Sequence, residues 1–260
     1  MAPTAPQRLR AGSFPVSVVV PVLDEADNLA ALAREIQTAL AGVADYEILF
    51  VDDGSGDATP ARLAALVAGN PRIRALRHAS RFGQSMALRT GILAARRPWI
   101  ATLDGDRQND PADLPAILER VKGGDHVWTL FVGHRTRRKD SFAKRFASRF
   151  ANGLRSRLLK DGTPDTGCGL KVFARELYLR LPYFDHQHRF LPALVKREGG
   201  RVVSLPVRHR ARTAGCSKYG NLQRAVVGLV DLLGVAWLMR RSPRDYIAAE
   251  VKRGSNELAA

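Results

Sequence analysis

The chain has 260 residues, 45% of them hydrophobic, enough to bury the core of one large α/β domain. Its two cysteines, Cys168 and Cys216, allow one disulfide at most and fit a reducing compartment better. A formal net charge of +16 suits polyanionic partners: nucleic acid, an anionic membrane surface or phosphate-rich substrates.

An Ala/Pro/Arg-rich stretch, residues 1–14, has no continuous apolar segment; it is expected to fray and does not read as a secretory signal. Val16 to Val22 is a β-branched run of the kind buried in a parallel sheet. Asp27 is a candidate cap for a helix whose apolar stripe is Leu29, Leu32, Ile36 and Leu40. Glu47 to Val51 reads as the next strand, followed by a helix from about Pro60 to Ala68. Ile73 to Arg77, Ser85 to Ala95 and Trp99 to Leu103 continue as strand, helix and strand. This β-α-β rhythm predicts a doubly wound, mostly parallel sheet with right-handed crossovers. The second half is less regular. A basic helix is expected over Lys139 to Leu159, with Phe142, Phe146, Phe150, Leu154 and Leu158 on one face. Lys144, Arg145, Arg149, Arg155 and Arg157 lie around it. After a Gly/Cys-rich segment and a short helix, a strand is expected from Arg201 to His209, then an apolar helix from about Leu222 to Met239.

In open α/β sheets ligands bind beyond the carboxyl ends of the strands. Three acidic clusters fall there: Asp24-Glu25, Asp52-Asp53 and Asp104/Asp106. Asp104-Gly105-Asp106 places two carboxylates one residue apart on a turn, able to share a hard divalent cation with a diphosphate. Gln108 adds a neutral oxygen or orients a bound water. A solvated turn is the plain alternative for an isolated Asp-x-Asp, and the two other acidic strand ends weigh against it. The segment from Asp52 to Thr59 offers carboxylates to a base edge or to ribose hydroxyls; the alternative is a capped turn in which Asp57 or Thr59 starts the helix. The six histidines show no metal-ligand spacing, so His186 and His188 are read as structural or surface residues, and Lys171 and Cys168 as shaping a turn.

Pro21-Val22-Leu23-Asp24-Glu25 with Asn28, the 52–59 segment, Arg81-Phe82-Gly83 with Ala87 and Gly91, and Asp104 to Gln108 with Pro111 together resemble the family 2 glycosyltransferases of GT-A fold. Within them the chain is most similar to the dolichol-phosphate mannosyltransferase and polyprenyl-phosphate glycosyltransferase branch. Gly133-His134-Arg135, Asp165 to Phe173 and Arg212 to Tyr219 extend the resemblance, which runs from about Val16 to Tyr219.

That resemblance implies a GT-A nucleotide-sugar-binding domain over residues 15–220, with residues 221–260 as a membrane-interface or partner-docking element. It implies that Pro21, Leu23, Glu25, Val51, Gly105 and Asp52 or Asp53 hold the nucleotide. Asp104, Asp106 and Gln108 would hold Mg²⁺ or Mn²⁺, while Arg135, Arg212 and Lys218 would face the donor diphosphate or an acceptor phosphate. The family often has an aromatic residue and Asn where this chain has Leu23-Asp24, so Leu23 is expected to give apolar contact in place of base stacking.

The implied reaction is metal-dependent, inverting transfer of a hexose from a nucleotide-sugar donor, GDP-mannose or a UDP-sugar, to a polyprenyl phosphate. A hydroxyl acceptor would instead need a general base, for which Asp165 is the candidate. A nucleic-acid-binding protein is disfavoured, because the acidic strand ends repel phosphates and no helix-turn-helix, zinc or stacking motif is present. Ala225 to Met239 spans only 15 residues and contains Asp231, short of the ~20 apolar residues a membrane span needs. With Arg240, Arg241 and Arg244 behind it, this helix is expected at an anionic membrane surface on the cytoplasmic face or on a small membrane-protein partner.

Overall fold

The computed structural model describes residues 14–135, 153, 155, 157–210 and 221–241, without the side chains of 221–226. Its seven strands are β1 (Phe14–Val22), β2 (Ala44–Asp52), β3 (Ile73–Arg77), β4 (Trp99–Thr102), β5 (Thr129–Arg135), β6 (Lys171–Ala174) and β7 (Arg201–Val207). Its helices are α1 (Ala26–Leu40), α2 (Thr59–Gly69), α3 (Gln84–Ala94), α4 (Leu114–Lys122), α5 (Arg175–Arg180), α6 (Leu191–Arg197) and α7 (Asn221–Arg240).

The strands form one sheet in the order β3-β2-β1-β4-β6-β5-β7. β1 pairs in parallel with both β2 and β4, and β2 with β3. Val16, Val18, Val19 and Val20 of β1 are all fully buried, which is why this strand reads as an unbroken β-branched run. The register sets Val22 beside Asp52 and Val19 beside Thr102, so the chain leaves β1, β2 and β4 at one edge. The mostly parallel half-sheet is the expected one. The other half departs from strict winding, because β6 runs antiparallel to both β4 and β5, between which it lies.

α1 buries Leu29, Leu32, Ile36 and Leu40, as the 3.6-residue stripe predicts. Asp27 does not cap it. Glu25 occupies the cap position, and Asp27 sits in the first turn, where its charge meets the positive helix end. Phe14, expected within a frayed terminus, already belongs to β1; residues 1–13 lie outside the described residues.

The expected basic helix lies outside the described residues except at its end, where residues 157–159 are helical. There Leu159 is buried, Leu158 packs on the core and Arg157 is exposed. Arg155, expected among the cations around that helix, is buried and donates to the Thr163 carbonyl at 2.6 Å and to the Thr166 hydroxyl. Cys168 is a buried free thiol. Cys216 lies outside the described residues.

Candidate active site

Both loops at the β1 and β2 ends are zipped together. The Asp24 N–H donates to Ser55 Oγ at 2.8 Å, and Asp24 Oδ1 accepts the Gly56 N–H at 2.8 Å. The Glu25 N–H donates to Thr59 Oγ1 at 2.9 Å, while Glu25 Oε2 accepts from the Asn28 amide at 2.6 Å. Asp57 accepts the Thr59 N–H at 2.9 Å and the helix starts at Thr59, but its cap position is Ala58, which has no side-chain cap bond.

Asp52 and Asp53 are also engaged by the protein's own donors. Asp52 is fully buried, accepts the Ser55 N–H at 2.9 Å and lies 3.3 Å from Arg77. Asp53 accepts the N–H groups of Phe82 and Gly83 at 2.9 and 2.7 Å and meets His78 Nδ1 at 2.8 Å. Its carboxylate thereby fixes the loop entering α3, a framework role sequence reasoning did not assign. Val51 is fully buried within β2, so its side chain serves the core and only its backbone borders the edge. Pro21, Leu23 and Glu25 are half-buried along that edge.

The Asp104–Asp106 turn follows β4 directly. Gly105 is required here, since a Cβ would stand 2.8 Å from Val22 Cγ1 and 3.1 Å from the Pro21 carbonyl oxygen. The turn therefore packs onto the end of β1. Asp106 accepts the Gln108 N–H at 3.1 Å. Asp24 and Arg107, on the two facing turns, both adopt left-handed backbone (φ 50° and 60°), a cost that packed surroundings impose most often at functional sites.

Asp104 accepts from the Gln84 amide at 2.9 Å. Burial first, and then the nearby Asp106 charge, push its carboxyl up to about 6 against the opposing Lys171 and Arg135 charges. Two carboxylates that repel each other at a buried strand end, with a neutral Gln108 alongside, fit a hard divalent cation shared with phosphate oxygens. Among the described residues no group of three or more His, Cys, Asp or Glu converges as a complete cage, so ligand oxygens would have to finish the coordination.

Arg135 leaves β5 and grips Asp165 with two hydrogen bonds, Nε to Oδ2 at 2.7 Å and Nη2 to Oδ1 at 2.8 Å. Burial would lower the basicity of this guanidinium, but the Asp165 hydrogen bonds and charge outweigh it and hold it above the ordinary value. Lys171 is fully buried; burial lowers its basicity, and it donates to the Cys168 carbonyl, shaping the turn as expected.

Past β7, Arg210 bridges Glu35 and Asp110, each at 2.6 Å, and His209 pairs with Asn109. Arg212 and Lys218 lie outside the described residues. The chain that leads to them is thus anchored beside the Asp104–Asp106 turn.

A cavity of about 180 Å³ opens next to Asp104, walled by Gln84, Ser85, Lys171, His188 and Leu191. Of the expected site residues Asp104 lines it, whereas Pro21, Leu23, Glu25, Val51, Asp52, Asp53 and Gly105 do not. His188, expected to be structural or at the surface, is one of its walls. Ser85 and His188 are hydrogen-bonded across 103 residues of sequence, a juxtaposition with no local signal.

Among the described residues no helix is long and apolar enough to cross a membrane. α7 buries Leu232, Val235 and Ala236 but exposes Leu229, Val230, Leu233 and Trp237, the last by 60%. Trp237 also carries Arg241 over its ring at 5.7 Å.

A model of glycosyl transferase family 2 matches residues 17–181. The dodecaprenyl-phosphate galacturonate synthase of Rhizobium johnstonii is 34% identical over 237 residues, covering 89% of this chain and 69% of its own length. The undecaprenyl-phosphate 4-deoxy-4-formamido-L-arabinose transferase of Klebsiella pneumoniae is 34% identical over 84% of this chain and 66% of its own. The chain thus spans about two thirds of the length of these curated relatives.

Among solved structures, glucosyl-3-phosphoglycerate synthase of Mycobacterium tuberculosis in complex with UDP superposes with a TM-score of 0.64 at 18% identity, covering 90% of this chain and 82% of the other. The mannosyltransferase PcManGT of Pyrobaculum calidifontis, in complex with GDP-Man and Mn²⁺, gives 0.61 at 21%, covering 90% and 65%. At such identities the likeness establishes a shared fold, the GT-A architecture expected from the sequence.

Proposed function

We propose that this chain, which belongs to glycosyl transferase family 2 and is a glycosyltransferase, carries one sugar from a nucleoside-diphosphate donor to a polyprenyl phosphate by single displacement. The observation that carries the reading is the Asp104–Asp106 turn, packed on the end of β1 at the mouth of a cavity sized for one sugar ring. The acceptor class is supported by the names of the relatives, dodecaprenyl- and undecaprenyl-phosphate sugar transferases.

The nucleotide lies along the Pro21–Glu25 and Asp52–Asp53 edge, where Leu23 gives apolar contact and the 52–59 turn presents backbone groups. Asp104, Asp106 and Gln108 hold Mg²⁺ or Mn²⁺ together with the diphosphate. Such an ion supplies positive charge to the departing nucleoside diphosphate. Arg135, fixed in aim by Asp165, adds a second, preorganised charge at no reorganisation cost. Arg212 and Lys218, which follow the anchored Arg208–Arg210 segment in sequence, are assigned to the acceptor phosphate. A phosphate monoester is already ionised near neutral pH and attacks the anomeric carbon without a protein base. The two-bonded Arg135–Asp165 pair supports this reading, since both carboxylate oxygens are already engaged by the guanidinium.

Residues 15–220 form the transfer unit, and residues 221–260 the element that brings it to lipid. The exposed Leu229, Val230, Leu233 and Trp237 stripe of α7 rests in the headgroup boundary of an anionic leaflet on the cytoplasmic side, with Arg240 and Arg241 beside the phosphates. A small membrane protein could cover the same stripe. No nucleic acid is involved.

A panel of UDP- and GDP-sugars, tested for thermal stabilisation with and without Mn²⁺, examines the donor half of this reading. At about 100 times its Kd a true donor adds about 2.7 kcal/mol to the folded state. That increment depends on metal and is lost in Asp106→Asn. Equal stabilisation with excess chelator would remove the metal from the account.

A further inference from the structure

We propose that His188, locked by Ser85, is a specificity-determining residue for the transferred sugar, meeting a sugar hydroxyl with its Nε2–H inside the cavity beside Asp104. The inference rests on the glycosyl-transfer reading and deepens it.

The cavity is the starting point. At about 180 Å³ it is smaller than the roughly 300–1,000 Å³ of pockets that take drug-sized ligands, and it suits a single pyranose. It touches the candidate metal turn through Asp104, so a ring inside it would lie next to the proposed diphosphate site.

Ser85 Oγ lies 2.7 Å from His188 Nδ1, and the His188 backbone N–H points at the same oxygen at 3.3 Å. Ser85 is buried, and among the described residues these are its hydroxyl's two partners. The backbone N–H can only donate. Of the two partners only Nδ1 can accept the hydroxyl proton; we assign that bond as Oγ–H to Nδ1, which puts the imidazole proton on Nε2. Among the described residues Nε2 has no protein partner, which leaves an N–H donor on the wall of the cavity. The ring stays neutral, because burial, with the Lys171, Arg189 and His186 charges, holds its pKa well below the usual value. A neutral donor in a closed wall selects an oxygen acceptor at one ring position. Ser85 acts through His188 and is a positioning residue.

The test has two arms on the purified full chain. Long-range proton–nitrogen NMR of uniformly ¹⁵N-labelled protein should show His188 as the Nε2–H tautomer, without titration between about pH 5.5 and 8. Its Nε2–H resonance should shift on adding the nucleotide sugar that stabilises the protein most, and not on adding the matching nucleoside diphosphate. In the second arm, His188→Ala should cut kcat/KM for that donor about 10-fold or more while donors epimeric at one hydroxyl change little, so that discrimination collapses. His188→Gln, which retains an N–H donor, should recover part of it.

An Nδ1–H tautomer, a ring that titrates, or equal losses for all donors would overturn the proposal while leaving glycosyl transfer intact. Failure to bind any nucleotide sugar would overturn the transfer reading itself, and this inference with it.

Discussion

Arg135 closes a two-bonded ion pair on Asp165, with side-chain exposures of 12% and 8%. This pairing separates two roles for Asp165. If it were the general base, Asp165→Asn would abolish transfer outright, whatever its effect on stability. If it aims Arg135, the substitution leaves a half-buried guanidinium without its counter-charge. We expect the second: a loss of about 3–5 kcal/mol in urea unfolding, with measurable transfer remaining.

Gly169 lies against the candidate metal turn from the opposite side. A Cβ at this position would stand 2.3 Å from Asp104 Oδ2, so Gly169→Ala must displace that carboxylate. The backbone there has an ordinary conformation, and the variant should fold. Transfer should drop by about 100-fold or more, as when a catalytic group is misplaced by about 1 Å. Far-ultraviolet dichroism and steady-state kinetics check the two halves.

Glu47 gives the fold an acid-side sensitivity. Burial alone would raise its pKa, but bonds from Ser17 Oγ (2.6 Å), the Arg96 N–H (2.6 Å) and Arg74 (2.8 Å) outweigh burial and hold it below 4.5. The folded value lies below the unfolded one, so the folded state binds fewer protons. Its stabilisation is therefore full above the unfolded pKa and drains away as pH falls through the folded one. Glu47→Gln should lower the melting temperature at pH 7 and flatten its decline between about pH 5 and 3.

The parallel half of the sheet was legible because β1 and β2 are long β-branched or apolar runs, and Leu29, Leu32, Ile36 and Leu40 repeat at helical spacing. The placement of the Asp104–Asp106 turn at a strand end was legible because it directly follows the short apolar run of β4. β6 was not, since four residues beginning with a buried Lys171 carry neither alternation nor an apolar run. The cavity wall was hidden for another reason. Ser85 and His188 meet through tertiary packing alone, and a histidine without ligand spacing reads as bland. The framework roles of Asp52 and Asp53 were masked by the same carboxylate chemistry that suggested ligand binding.

α7 makes the membrane claim testable apart from chemistry. Leu233 and Trp237 are exposed by 56% and 60%, so Leu233→Glu with Trp237→Glu should leave the fold intact. Flotation with anionic vesicles should fall steeply in the double variant. In the unaltered chain it should weaken as salt rises, because headgroup attraction is screened within about 10 Å at 0.1 M. Equal flotation of both proteins would place the lipid contact elsewhere.

The most direct measurement is a transfer assay with labelled nucleotide sugar, offered undecaprenyl phosphate in one tube and undecaprenol in another. Transfer to a lipid phosphate predicts label in an organic-extractable product only with the phosphate. Mild acid should then release free sugar, as expected of a glycosyl phosphate. Label carried to undecaprenol, or to a glycan hydroxyl, would contradict the acceptor and return Asp165 to the position of candidate base.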